Sequence, residues 1–429
     1  MRRVDWSDLD EAERAKVLAR PEAQADARIV DAVTAILTDV KGRGDAALRE
    51  LTSLFDGVEL GEIEVPLEAC REALECLPAD EREALEIAKA NIEAFHTPQM
   101  PECYSVETMP GVICRRIPKP LGSVGLYVPG GTAPLVSTVL MLAVPAAMAG
   151  VGERVIVSPP GQDGEINEKV LAAAALCGVT RVFRIGGAQA IGALAYGTES
   201  VPKCAKIFGP GNAYVAAAKA MVSSRADGPA TDLPAGPSEV MVVADPSANP
   251  AYVAADLLAQ AEHDAVAQVV CVTDTPGFAD AVENEVEGQL AQLSRHNIAK
   301  ASLGNARMVI ADSGDWVGII DAYAPEHLIL QCEGADGIIG DIRSAGSVFV
   351  GLWTPESVGD YASGTNHTLP TGGAAAAYSG VNLESFFTLM TVQELSREGL
   401  ERLGPTVELM AAMEGLDAHA RAVAVRLGR

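Results

Sequence analysis

Two rhythms of apolar and polar positions divide this chain. Over roughly the first hundred residues the apolar positions recur at helical spacing. Leu85, Ala88, Ile92 and Phe95 share one face of a helix that Asp80 can cap. From Cys114 the texture changes to short β-rich runs, each followed by a Gly/Pro turn and an Ala-rich helix. The runs are 123–128 before Pro129-Gly130-Gly131, 154–157 before Pro159-Pro160-Gly161, 182–185 before Gly186-Gly187, and 206–208 before Gly209-Pro210-Gly211. This repetition of strand, turn and helix predicts a parallel α/β sheet.

A loop rich in Gly, Pro and Asp, 226–237, interrupts the pattern, and a second α/β series follows. Its strands are predicted at 239–243, 268–272, 328–331 and 347–350, with helices near 249–262 and 276–293. A polar, glycine-rich stretch, 354–373, comes next. The remainder reads as helical: Thr391 and Glu394 have capping-box spacing, Gly404-Pro405 breaks the chain, and Gly415 separates two further pieces. The expected fold class is α/β, with two incomplete Rossmann-like parallel-sheet domains, a helical N-terminal segment and a C-terminal helical tail.

Residues 121–152 carry no formal charge over 32 positions, which is long enough to weigh as a membrane span. Pro129, Pro134, Pro145 and several glycines suit a buried strand, turn and helix better. The start of the chain has Arg2 and Arg3 but no apolar run, so it does not read as a secretory signal, and a cytoplasmic protein is expected.

Charge narrows the partners. The 429 residues hold 58 Asp+Glu against 32 Lys+Arg, a net charge of -26, which disfavours nucleic acid because that binding rests on cations neutralising phosphates. With 48% hydrophobic and 21% charged residues there is core material for two or more domains. The eight cysteines (70, 76, 103, 114, 177, 204, 271, 332) form no CxxC, which excludes Cys-rich zinc modules and points to reduced thiols.

The common nucleotide and zinc-protease fingerprints are missing: no GxxxxGK[ST], no HExxH, and no GxGxxG after a strand, since 209–214 lacks the third glycine. What remains are glycine turns with polar neighbours: Tyr127 before Pro129-Gly130, Gln189 after Gly186-Gly187, and Asn212 after Gly211. At the carboxyl ends of parallel strands such turns can hold anionic ligands on backbone N–H groups. On spacing alone, plain turn chemistry is the simpler account.

Four of the six histidines lie in polar segments beyond residue 259 and invite chemistry. Gln260 and His263 stand at i and i+3, so on a helix they project from one face, as metal ligands or as a solvated helix end. Asp360 and His367 lie in a stretch too polar to exist for packing, where a long surface turn is the alternative. His419, three residues after Leu416, falls at the margin of a terminal helix whose apolar stripe is Leu416, Ala420, Val423 and Leu427, where core packing is the alternative. His96 and His296 sit in ordinary polar surroundings. The sharpest pair is Glu326-His327. On a regular strand the two would face opposite ways, but Ala324-Pro325 permits an irregular backbone that turns both into one pocket. A carboxylate and an imidazole together would supply two proton-transfer groups; a charged strand start is the alternative.

These segments resemble the histidinol dehydrogenase family over nearly the whole chain. The likeness is carried by 232–240 (DLPAGPSEV), 257–264 (LLAQAEHD), 324–328 (APEHL), 354–367 (TPESVGDYASGTNH) and 414–419 (EGLDAH). It implies oxidation of L-histidinol through L-histidinal to L-histidine, with two NAD reduced and one zinc per site. It implies Gln260, His263, Asp360 and His419 as zinc ligands, an all-N/O set suited to a zinc that also accepts the substrate's imidazole. Ser238, His367 and Glu414 would contact the substrate, Glu414 pairing with its amine, and Tyr127, Gln189 and Asn212 would line the NAD site. His327 would act as base for the hydroxyl and Glu326 would activate water at the aldehyde; a cysteine thiohemiacetal is the other chemistry for that step.

The resemblance also implies a homodimer with shared sites, in which the tail crosses to the partner. The implied organisation is a 1–25 N-terminal segment, 26–115 with 238–371 as metal-binding and catalytic domain, 116–237 as NAD-side domain and 372–429 as tail. Competing readings are a zinc-dependent dehydrogenase of another small amino- or sulfo-alcohol, a zinc hydrolase with Glu326 activating water, and a non-catalytic metal-binding protein.

Overall fold

The computed structural model describes residues 1–20, 27–130, 134–234 and 236–429. Gly131 of the first glycine turn, Ala235 of the 232–240 motif and the end of the 1–25 segment lie outside the described residues.

Runs of β-branched and aliphatic residues with no polar alternation build the first sheet. Val240, Val242, Val243, Val269, Val270, Val272 and Leu328 to Leu330 are all fully buried, as strands covered on both faces require. Its six strands lie in the order Arg2–Asp5, Arg307–Ile310, Gln268–Thr273, Glu239–Ala244, His327–Gln331, Ser347–Val350, and every neighbouring pair is parallel. The second sheet runs Glu64–Val65, Arg181–Arg184, Glu153–Ser158, Ser123–Tyr127, Lys206–Phe208, Ala230–Thr231. Only its first pair is antiparallel. The α/β reading with two parallel sheets holds, and all eight expected strands fall within one residue at each end.

The early helices, which the sequence groups in part with 238–371, pack on the second sheet. Val33, Ile36, Leu37 and Val40 of Ala27–Arg43 share a core with Val155, Phe183 and Ile191, while Cys70, Ala88 and Ile92 join Val124 and Leu142. The uncharged stretch at 121–152 is the buried strand Ser123–Tyr127 and the buried helix Val136–Met148. Among the described residues no helix is long and apolar enough to cross a membrane.

Several local expectations are corrected. The N-terminal segment opens with a strand, Arg2–Asp5, whose charges suit a sheet edge. The helix Ala79–His96 starts behind Pro78, and Asp80 sits in its first turn, where its charge meets the positive helix end without capping it. His96 is fully buried, its Nδ1 2.8 Å from the Ile92 carbonyl, and burial lowers its pKa. Phe95 instead points outward.

The tail is not wholly helical. Thr391 and Glu394 lie in the strand Phe387–Leu395, which pairs antiparallel with Val112–Pro120 and, through it, with Tyr104–Met109. The cap belongs to Ser396, whose hydroxyl accepts from the Gly399 N–H. Helix Arg397–Met413 runs through Gly404-Pro405, because Gly404 lies against Val423 and Leu427 of the following helical pieces and that packing outweighs the lost hydrogen bond. Gly415, in the left-handed region, separates this helix from Asp417–Ala424 as expected. All eight cysteines are free.

Candidate active site

The polar cluster forms at the amino ends of the first sheet's central strands. Glu239 and His327 are the first residues of neighbouring strands, and His327 pairs in register with Val240. Just before them Ala324 takes φ 49°, the only non-glycine with positive φ among the described residues. That conformation costs about 1–2 kcal/mol. It turns the chain so that Glu326 and His327 share one buried pocket, with Glu326 Oε2 3.6 Å from His327 Nδ1. The turn is locked from the next strand, where Gly346 and Ser347 donate to the Pro325 and Glu326 carbonyls at 2.9 Å each. A side chain at Gly346 would stand 2.5 Å from the Glu326 carbonyl oxygen, so only glycine fits.

The Glu239 backbone holds both groups. Its N–H donates to Glu326 Oε2 at 2.8 Å, and its carbonyl lies 3.0 Å from His327 Nδ1. A carbonyl only accepts, so Nδ1 carries a hydrogen and Nε2 faces the pocket, 3.4 Å from Asp360 Oδ1. Burial pushes Glu326 up to about 8. Burial alone would lower His327, but the Glu356 and Glu326 carboxylates and Asp360 outweigh it and raise it to about 10. Asp360 shifts the other way: burial raises it, yet the His327 hydrogen bond and charge win and hold it below its ordinary value.

Two short helices bring the remaining donors. Helix Pro250–Ala261 ends at the cluster, with Gln260 buried on its last turn and His263, which remains accessible, just beyond. Asp360, expected in a loop, stands in the helix Glu356–Tyr361. The helices are joined where the Glu356 backbone hydrogen bonds to Asp256, whose carboxylate also accepts from Gln331 Nε2 at 2.7 Å and is pushed up to about 7 by burial. One ligand atom each from His263, Glu356 and Asp360 lies within 4.8 Å of the others. Both amide atoms of Gln260, Nε2 of His367 and Oε2 of Glu356 are buried without a hydrogen-bond partner. Such orphaned N and O donors, facing two carboxylates, fit a divalent cation. Burial lowers His367, keeping its imidazole neutral, as ligation requires.

The structure therefore brings Gln260, His263, Glu326, His327, Asp360 and His367 to one end of the first sheet, with Ser238 immediately before Glu239. Glu414 and His419 are exposed on the C-terminal helices, outside this donor cluster. Sequence reasoning missed Glu356 and Asp256. Each stands four residues before a candidate ligand, Asp360 and Gln260, and that i, i+4 spacing was a usable signal.

A second site lies at the carboxyl ends of the other sheet, a cavity of about 1420 Å³ whose walls include Tyr127, Gln189, Asn212, Ser158 and Gly130. Gly187 N–H donates to the Tyr127 hydroxyl at 3.1 Å, and burial pushes that phenol to about 12, so it stays protonated and free to donate. Asn212 Oδ1 caps the helix Ala213–Ser223 by accepting from Tyr214 and Val215 N–H at 3.1 Å, which leaves Nδ2 as the atom it can offer. Gly209, at φ 117°, passes so close to the Tyr127 carbonyl that a side chain would stand 2.2 Å from it.

The sequence pattern described as histidinol dehydrogenase matches residues 18–427. The chain is 52% identical to a histidinol dehydrogenase of Xanthomonas euvesicatoria pv. vesicatoria (strain 85-10), covering all of this chain and 99% of that one. It is 50% identical to a histidinol dehydrogenase of Vibrio parahaemolyticus serotype O3:K6, covering all of this chain and 98% of the relative. The crystal structure of histidinol dehydrogenase from Elizabethkingia anophelis superposes with a TM-score of 0.95 at 43% identity, covering 100% of this chain and 98% of that one. With that agreement in sequence and in backbone over the full length, the chain belongs to the histidinol dehydrogenase family of histidine biosynthesis.

Proposed function

We propose that the chain performs the zinc- and NAD-dependent four-electron oxidation of L-histidinol to L-histidine through L-histidinal, as a cytoplasmic homodimer. The observation that carries this reading is the buried Glu326–His327 pair standing beside unpaired N and O donors. Gln260, His263 and Asp360, with His419 from a second copy of the chain, would hold the zinc. Bound, zinc would supply a Lewis-acidic anchor for the substrate's imidazole, and NAD the hydride acceptor.

His327 takes the hydroxyl proton on Nε2, its Nδ1–H being fixed on the Glu239 carbonyl. Glu356 and Asp360 raise His327's proton affinity, and neutralising their charge with a cation lowers it towards the range of a working base. Glu326, near 8, is poised to take a proton from water at the aldehyde step. Cys177, Cys204 and Cys271 are pushed to about 12 by burial, which makes these thiols poor nucleophiles and favours hydration over a thiohemiacetal.

Ser238 and His367 contact the substrate, and Glu414 of the second copy meets its amine. Tyr127, Gln189 and Asn212 face the dinucleotide in the large cavity, where the N-termini of helices Gly187–Tyr196 and Ala213–Ser223 favour phosphate. The dimer reading is supported by the C-terminal helices, which expose Leu409, Met410 and Met413 beside Glu414. The deciding measurement is stoichiometry. Two NADH should form per L-histidinol consumed, with activity lost on chelation and regained with zinc; one NADH per substrate refutes the four-electron assignment.

A further inference from the structure

Arg20 and Glu239 form a buried ion pair outside every role assigned above. Glu239 is almost fully buried, yet it begins a central strand of the first sheet, where a valine would pack without cost. Arg20 meets it as a fork, Nε to Oε1 at 2.5 Å and Nη2 to Oε2 at 2.8 Å. The guanidinium lies 4.0 Å from the centre of the Tyr323 ring, and Nη2 also donates to the Tyr323 carbonyl at 2.7 Å. The Gly372 N–H adds a bond to Glu239 Oε1 at 3.0 Å, so the segment after His367 is tied to the same carboxylate.

Every arm of this unit ends next to the chemistry. Its side-chain bonds fix Glu239, whose N–H and carbonyl are the groups that hold Glu326 and His327. Its bond to Tyr323 fixes the residue before Ala324, whose left-handed conformation turns Glu326 into the pocket. We infer that Arg20 is a positioning residue: through Glu239 and the Tyr323–Ala324 turn it sets the orientation of Glu326 and His327 from more than 300 residues away in sequence, without touching substrate. This deepens the roles proposed for that pair and rests on them.

The test uses the full-length, zinc-loaded enzyme and Arg20→Met. A displacement of about 1 Å in a catalytic group costs on the order of 10²-fold in rate. The expected result is a kcat lowered by about that factor, with the KM for histidinol and for NAD each within about threefold of wild type. Because Arg20 acts through Glu326, the double variant R20M/E326Q should lose less than the product of the two single losses in the aldehyde step. An unchanged kcat, or losses that multiply in full, overturns the assignment.

Should R20M fail to fold, Arg20→Lys and Glu239→Gln keep the volume while weakening the fork. They should show the same kcat-selective pattern at about three- to tenfold, and a wild-type kcat in both overturns it. Failure of the underlying catalytic reading is recognised separately: E326Q and His327→Ala would then run at full rate with Arg20 intact.

Discussion

The two parallel sheets carry their polar residues at opposite ends of their strands. In the second sheet Tyr127, Gln189 and Asn212 follow strands, at the carboxyl edge, where helices Gly187–Tyr196 and Ala213–Ser223 present N-termini. In the first sheet Ser238, Glu326 and His327 precede or open strands, at the amino edge, where helix Pro250–Ala261 presents its C-terminus with Gln260 and His263. The helix dipole makes one edge attractive to anions and the other to cations. One architecture thus favours an anionic ligand at one edge and a cationic one at the other. Residues 232–238 join the carboxyl edge of Ala230–Thr231 to the amino edge of Glu239–Ala244, and a seven-residue span reaches at most about 25 Å.

The comparison breaks first on His327. Replacing it with Ala should abolish both oxidations, by on the order of 10³–10⁴-fold, while NAD affinity at the opposite edge stays unchanged. NADH absorbance with histidinol and with histidinal, plus NAD titration, checks this; equal damage to NAD binding would mean that the edges are not independent. Glu326→Gln should lose about 10²-fold in aldehyde oxidation and retain alcohol oxidation far better. Equal loss of both steps removes the division of labour within the pair.

A third experiment asks whether the first sheet's edge is complete in one chain. Glu414 and His419 are exposed, away from the donor cluster. Mixing His419→Ala and His263→Ala subunits should restore up to about a quarter of normal sites under random re-pairing, as two-fold symmetry dictates. No recovery in verified heterodimers argues against shared sites. The smallest effect concerns the global field: with a net charge of -26, raising salt should weaken histidinol capture about two- to threefold and tighten NAD slightly. The reverse, a Michaelis constant that falls for histidinol and rises for NAD at high salt, would show that the local charges of the two edges override the overall acidity.

How much of this was readable in sequence follows from where each signal is stored. The strands Lys206–Phe208 and Ser347–Val350 were legible to the residue, because β-rich runs bounded by glycine carry their own boundaries. The strand Phe387–Leu395 was read as a helix start, since its partner Val112–Pro120 lies some 270 residues away and leaves no local trace beside the capping-like Thr391 and Glu394. Gln260, His263, Glu326, His327, Asp360 and His367 were legible as polar residues in places with no packing reason to be polar. Glu239 and Arg20 were not, because a lone charge at a strand start looks like solvent exposure until the fold buries it against a partner over 200 residues away.

The edge strand Arg2–Asp5 has a temporal consequence. It can pair only with Arg307–Ile310, whereas every strand of the second sheet lies between Glu64 and Thr231. At synthesis rates of about 5–20 residues per second, Arg2–Asp5 waits about 15–60 s for its neighbour, while the second sheet can already close around its own core. A nascent chain with an apolar strand in that position would offer an open edge to other chains throughout the wait; Arg2, Arg3 and Asp5 put charge there instead, and the same charges cost little once the strand is docked at the rim of the finished sheet.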